Sequence, residues 1–324
     1  MSGKSKTRNN NQGNPVPPVL RPEALRLLDC AEAAFRTLDP AANRWENSVG
    51  FRTDAGYTVF RVQPIDETTH SGLHIAERIM LHTTLPAGTP LTDADLVKAN
   101  LMAGIGAVVR KPETGELAIL STACVPAGDD FTLQFLGELF LRSAPDHGAG
   151  VARLFVDSRS NFAEPAPDAA RPGWPEEFAA ARDTLVARGI PVELSPGLLD
   201  ARPPGGPALP EPLSAIFPPC RLVLTIHEPH PWLGNGLAVV LKLPRCCEPG
   251  ETERLVNQLN WWEWCALDGP PFVGAWTCLP EQGEPVFMTF VADEAWHPQL
   301  VGSLVDWALR RAEVARRWVV NWWE

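Results

Sequence analysis

Residues 251–266 read ETERLVNQLNWWEWCA, residues 272–279 FVGAWTCL, residues 286–291 VFMTFV and residues 298–315 PQLVGSLVDWALRRAEVA. Thr252 between Glu251 and Glu253 marks a helix start, where acids suit the unpaired N–H groups and the positive end of the helix dipole. Apolar residues follow at Leu255, Val256, Leu259, Trp262 and Ala266, the spacing of one helical face. Gly269-Pro270-Pro271 ends that helix, because proline lacks the donor and glycine tolerates positive φ. Phe272 to Leu279 is rich in β-branched and aromatic residues and predicts a strand. Pro280 to Glu284 predicts a turn. Val286 to Val291 is apolar on both faces, the pattern of a central strand. Pro298 opens a helix with an inner face of Leu300, Leu304, Trp307, Ala308 and Ala315. The order is therefore helix, strand, turn, strand, helix.

A second stretch has the same order. Thr92 and Asp95 stand three apart, as in a capping box, and Leu96, Val97, Asn100 and Leu101 follow. Gly104-Ile105-Gly106 ends the helix. Residues 107–110 and 117–122 flank a turn at Pro112-Glu113-Thr114-Gly115, and a helix is predicted from Phe131 to Leu141. Leu96-Val97 pairs with Leu255-Val256, and Gly115-Glu116 with Gly283-Glu284. The pattern predicts an α+β fold: two copies of a small antiparallel sheet flanked by helices.

A chain of 324 residues fits two domains. The hydrophobic share of 45% against 21% charged residues is that of a protein with real cores. A net charge of −11 disfavours a nucleic-acid partner, since phosphate neutralisation needs a basic face. No apolar run reaches the roughly 18 residues of a membrane span. Seven cysteines, with no apolar core of a signal peptide near the N-terminus, lead to the expectation of reduced thiols in the cytoplasm.

Residues 1–21 are polar and carry Lys4, Lys6, Arg8 and Arg21 without an acid, the composition of a solvated, disordered tail. The first domain is expected over 22–150. Pro22 opens its first helix, with Leu25, Leu28 and Phe35 on the apolar stripe, and strands are expected between Arg44 and Gln63 and from Ile75 to Thr83. Residues 145–170 read as a connector. The second domain is expected over 151–324. Its first helix starts at Trp174, and its proline-crowded stretch 191–219 reads as an insertion or flexible loop rather than a core element. Residues 220–226 and 237–243 predict a hairpin, with Asn235-Gly236 as the turn signal.

The stretches Asp93 to Phe140 and Glu251 to Ala312, each with a Leu-Val helix before a hairpin and a final amphipathic helix, resemble the type III secretion chaperone-like fold, including YbjN-type domains. The resemblance covers about two-thirds of the chain and rests on pattern, without a catalytic signature. It implies a chaperone-like or adaptor role, binding another protein. Two copies in one chain would replace a homodimer by an internal pseudo-dimer of the two halves. The proline-rich stretch has no counterpart in that pattern.

The residues offer little chemistry. His227 and His230, with Cys220, Cys246 and Cys247 nearby, could build a zinc site, but paired CxxC spacing is absent and the prolines at 229 and 231 fit an exposed turn. The reading is therefore no metal and no cofactor, with a metal-dependent enzyme using the His227/His230 hairpin, or a structural subunit of a larger assembly, as alternatives. Residues 232–236 are too short for a nucleotide loop, and no GxSxG or P-loop pattern occurs. Asp129-Asp130 and Asp293-Glu294 stand before the two last helices, where capping accounts for them. No catalytic residue is assigned. Tryptophan is the unusual feature: ten of twelve lie from Trp232 onward, against one tyrosine in the chain. Trp261, Trp262 and Trp264 cannot share one helical face. Trp262 is expected in the core, and Trp261 and Trp264, with Trp318, Trp322 and Trp323, are the candidate binding residues, since exposed tryptophans anchor interfaces.

Overall fold

The computed structural model describes residues 19–53, 56–85, 91–101, 103–145, 147, 174–203, 220–230, 233–245, 248–278, 283–297 and 299–322. The disordered-tail, connector and proline-insertion readings fall largely on residues 1–18, 148–173 and 204–219, outside the described residues.

The chain is α+β, with two antiparallel sheets flanked by helices. Helix α1 (Pro22–Leu38) precedes strands β1 (Asn43–Trp45), β2 (Ser48–Thr53), β3 (Gly56–Thr68) and β4 (His74–Thr84). Then come α2 (Asp93–Leu101), β5 (Ala107–Arg110), β6 (Leu117–Pro126) and α3 (Asp130–Ser143). The later half runs α4 (Trp174–Ala187), β7 (Val192–Ser195), β8 (Leu198–Ala201), β9 (Arg221–His230), β10 (Gly234–Lys242), α5 (Pro249–Cys265), β11 (Ala275–Cys278), β12 (Pro285–Ala292) and α6 (Leu300–Trp322). The sheet orders are β1-β2-β3-β4-β6-β5 and β7-β8-β9-β10-β12-β11, the same order twice.

Local chemistry sets the helix ends. Thr92 and Asp95 form the expected reciprocal cap: Asp95 N–H donates to Thr92 Oγ1 at 3.2 Å and Thr92 N–H donates to Asp95 Oδ2 at 2.9 Å. Asp129 caps α3 by accepting from Thr132 N–H at 2.9 Å. Pro22 and Pro249 open α1 and α5, where a missing N–H costs nothing. A continuous apolar core runs through both halves, from Leu28, Phe35, Phe51 and Phe60 to Phe272, Trp276 and Leu304.

Three expectations change. The start of the proline-crowded stretch is not loop: Val192–Ser195 and Leu198–Ala201 form a hairpin on the edge of the second sheet, with Leu199 and Ala201 fully buried. The prolines flank the strands instead of interrupting them, and Gly197 takes the positive φ of +73° in the turn. Asn235-Gly236 is not the turn between β9 and β10; both residues are paired in the ladder, opposite Pro229 and Glu228. Phe272 is not in the strand that begins at Ala275. It bridges to Thr122 of β6, with Thr122 N–H donating to Phe272 O at 3.1 Å and Phe272 N–H donating to Thr122 O at 2.7 Å.

That bridge joins the free length of β6, beyond β5, to the second half. A matching bond lies beyond β11 on β12, where Phe290 N–H donates to Gly104 O at 3.3 Å. Two further internal details recur. Asn100 of α2 binds both backbone groups of Val108, and Asn260 of α5 binds both of Trp276. Ser121 Oγ donates to Ile105 O, and Thr289 Oγ1 donates to Val273 O. The following residues, Gly106 and Gly274, must be glycine. A Cβ on Gly106 would lie 2.5 Å from His147 Nε2, and one on Gly274 would lie 2.3 Å from the Met288 carbonyl oxygen.

Candidate interaction surface

Helices α2 and α5 lie together where the halves meet. The Thr277 hydroxyl of β11 donates to the Val97 carbonyl of α2 at 2.8 Å, so α2 reaches the edge strand of the other sheet. On the opposite side, α5 faces β5 across a groove. A cavity of about 210 Å³ lies there, lined by Asp93 of α2, Arg110 of β5, and Arg254, Asn257, Gln258 and Trp261 of α5. This volume is below the roughly 300–1,000 Å³ of pockets that enclose a drug-sized ligand.

The buried face of α5 explains why those residues point into the groove. Thr252, Val256, Leu259, Asn260 and Glu263 face the core. Trp262, expected in the core, is only half-buried. The reason is polar: Asn260 is held by the backbone of β11, and Glu263 accepts from Trp276 Nε1–H at 2.6 Å and from Arg311 Nε–H at 2.9 Å on each oxygen. Those bonds fix the rotation of the helix and send Arg254, Asn257 and Trp261 to the β5 side. Burial pushes the Glu263 carboxyl up, against the pull of Arg311 and Trp276, and pushes the Arg311 guanidinium down, against the pull of Glu263.

Asn257 stands apart from the other amides. Both of its amide atoms are buried and have no hydrogen-bond partner. Leaving a buried polar group unpaired costs on the order of 1–3 kcal/mol, so this is a strained position within an otherwise satisfied helix. Arg110 uses one guanidinium N–H on the Leu91 carbonyl. Arg254 is exposed.

The structure separates the sequence-predicted tryptophans. Trp261 is half-buried and lines the groove. Trp264 is half-buried against the other half, its ring 4.8 Å below the Arg78 guanidinium of β4. Arg78 also donates to Thr122 Oγ1 at 2.8 Å. The nearby Cys124 thiol is pushed up to about 11 by burial, which keeps it protonated. Trp264 thus has a partner within the chain. Trp318 and Trp322 lie on α6, and their side chains, like all of Trp323, are outside the described residues. The sequence reading missed Arg254 and Asn257, although with Trp261 they recur at three and four residues, the spacing of a single helical face.

Among the described residues no other cluster offers chemistry. Ser121 and His147 touch at 3.0 Å, and His147 Nδ1 lies 2.8 Å from Thr83 Oγ1, which contacts Thr58 Oγ1 at 2.8 Å. Ser121 gives its proton to Ile105 O at 2.8 Å, so His147 carries its hydrogen on Nε2 and donates to the serine. That is the reverse of a base activating a nucleophile. Burial lowers His147 to about 3 and His82 to about 4. His230 packs on the Phe290 ring at 4.7 Å; the His227 side chain and both Cys246 and Cys247 are outside the described residues. Among the described residues no group of three or more His, Cys, Asp or Glu could hold a metal, and no helix is long and apolar enough to cross a membrane. Compared with known proteins, the chain matches no family model, no curated protein and no solved structure.

Proposed function

We propose that this protein binds another polypeptide without catalysis, in the manner of a chaperone-like or adaptor protein, and that its two halves form an internal pseudo-dimer. The observation that carries the binding role is the groove between α5 and β5: a half-buried tryptophan beside two arginines and an amide with unmet hydrogen bonds. Aromatic and arginine side chains in a cleft are what protein interfaces use as anchors. The absence of catalysis is supported by the sealed Ser121–His147 contact, in which the serine proton is already committed.

The pseudo-dimer reading is supported by the repeated strand order, by the two asparagine clamps, and by the reciprocal bonds Thr122–Phe272 and Phe290–Gly104. An interface in which residue i meets j' and j meets i' is the signature of a two-fold pair. On this reading the repeat arose by tandem duplication, and the chaperone-like resemblance extends to both copies. A cytoplasmic location belongs to the same reading, supported by the unbridged thiols of Cys30, Cys124 and Cys265 among the described residues.

An array of unstructured peptides of systematically varied composition tests the binding role. The purified chain is expected to retain a discrete subset, and Trp261→Ala to lose it with an unchanged Tm. Retention of no peptide at all by the wild-type chain would remove the proposal.

A further inference from the structure

The groove between α5 and β5 has more chemistry than an aromatic patch. We infer that it clamps an extended, acidic peptide segment: Asn257 holds one residue's backbone, and Arg254 and Arg110 receive a carboxylate beside it. This rests on the protein-binding reading above and names its partner class.

The backbone clamp has two precedents inside this chain. Asn100 accepts from Val108 N–H at 2.7 Å and donates to Val108 O at 3.1 Å. Asn260 accepts from Trp276 N–H at 2.7 Å and donates to Trp276 O at 2.8 Å. One amide matches both outward backbone groups of one residue in an extended strand. Asn257 lies one helical turn before Asn260 on α5, and its donor and acceptor are both buried and unused at the groove. An extended segment laid in the groove offers the N–H and C=O that this amide lacks.

The sign of the partner follows from the walls. Arg110 and Arg254 face a single acid, Asp93, so the groove is locally cationic on a chain whose net charge is −11. Contact pairs act at about 3–4 Å, well inside the roughly 8 Å screening length at physiological salt, so the arginines decide the bound state while the overall charge only slows approach. The half-buried face of Trp261 accepts an apolar neighbour of the acid.

The site is single. Counting from the clamp asparagines, the place of Trp261 is taken by Leu101 in the first half, that of Asn257 by Val97, and that of Arg254 by Ala94. Val97 is buried, and its carbonyl is closed off by Thr277. The inference is therefore one peptide per chain.

A fluorescein-labelled, end-blocked hexapeptide alternating aspartate and leucine is titrated by anisotropy against the full chain, with its lysine–leucine counterpart alongside. The acidic probe is expected to bind one to one, at least tenfold tighter than the basic one, and more weakly as NaCl rises. Arg254→Gln should weaken binding and flatten the salt dependence. Asn257→Ala should weaken it several-fold and leave the salt dependence unchanged, with Tm showing that both variants fold. Equal binding of the two probes, or an Asn257→Ala variant that binds like the wild type, overturns the inference. So does displacement of the probe by millimolar succinate, which would mean that the site reads a carboxylate and no backbone. If peptides on the array bind and the acidic probe does not, this inference falls and the protein-binding reading stands. If nothing on the array binds, both fall.

Discussion

Glu263 and Arg311 meet inside the protein, the Arg311 Nε 2.9 Å from each carboxylate oxygen, with both side chains 2% exposed. Arg311 also donates to the Pro271 carbonyl at 2.7 Å and lies over the Phe287 ring at 3.7 Å. The pair therefore ties α5 to α6 and to the segment that enters β11. Removing one partner strands the other charge out of water, a loss of about 3–5 kcal/mol. Arg311→Met and Glu263→Leu should each show a loss of that size in urea unfolding. The double variant should cost less than their sum, with a residue of about 1–3 kcal/mol from the Trp276 indole N–H left unpaired. Additive losses would mean that the two charges are not coupled.

Buried His147 and half-buried His82 predict how stability varies with pH. An unfolded histidine takes its proton near 6.5, whereas burial holds His82 to about 4 and His147 to about 3 in the fold. Between these values the unfolded chain carries the extra protons, so these groups stabilise the fold above about 6.5 and lose that contribution as pH falls. His147→Gln keeps hydrogen-bonding capacity and removes the titration. Its unfolding free energy should be lower than wild type at pH 7 and should fall less steeply between pH 6.5 and 4.5, by up to about 1.4 kcal/mol per pH unit. Parallel curves for the two proteins would show that His147 does not titrate on unfolding.

The two asparagine clamps give a matched pair of substitutions. Asn260→Ala leaves the Trp276 N–H and carbonyl unpaired in the core, and Asn100→Ala does the same to Val108. Each should lower stability by about 2–4 kcal/mol, the cost of two unmet buried groups less some relaxation. Asn260→Asp keeps the acceptor and loses the donor, so it should remain destabilised. Thermal unfolding of the three variants decides this, and a neutral Asn260→Asp would count against the clamp.

The contacts between the halves predict the behaviour of separated pieces. Residues 1–150 alone would lose the Phe272 bridge to Thr122 and the Trp264 cover over Arg78. Residues 151–324 alone would expose Phe272, Val273 and Ala275, all now within a core shared by both halves. Co-expressed pieces should form a one-to-one complex by size exclusion with light scattering, and each alone should aggregate or self-associate. Two stable, separate monomers would exclude the internal pseudo-dimer.

Much of this arrangement was legible in the sequence. Thr92 with Asp95, the proline opening of α1 and the apolar strand 286–291 act through neighbours in the chain, so their pattern is sufficient; α5 begins at Pro249, three residues before the expected start at Thr252. In the landmark Gly115-Glu116 against Gly283-Glu284, both glycines take positive φ, +70° and +63°. The landmark Leu96-Val97 against Leu255-Val256 is one residue out of step, because the asparagine clamps set the register and place Leu96 opposite Val256. Ile105-Gly106-Ala107 against Val273-Gly274-Ala275 was the better signal.

The sequence by itself determined most of the helices and strands and the α+β class, because capping, period and turn chemistry are local; the hairpin 192–201 was read as loop because its strands are short and crowded by prolines. Only the tertiary structure decided the rotation of α5. Apolar spacing pointed Trp262 inward, but the bonds of Asn260 to β11 and of Glu263 to Arg311 come from residues far along the chain, and a buried charge or amide must be paired whatever the apolar stripe prefers. That same rotation turned Trp261, Asn257 and Arg254 to one groove and gave Trp264 to Arg78.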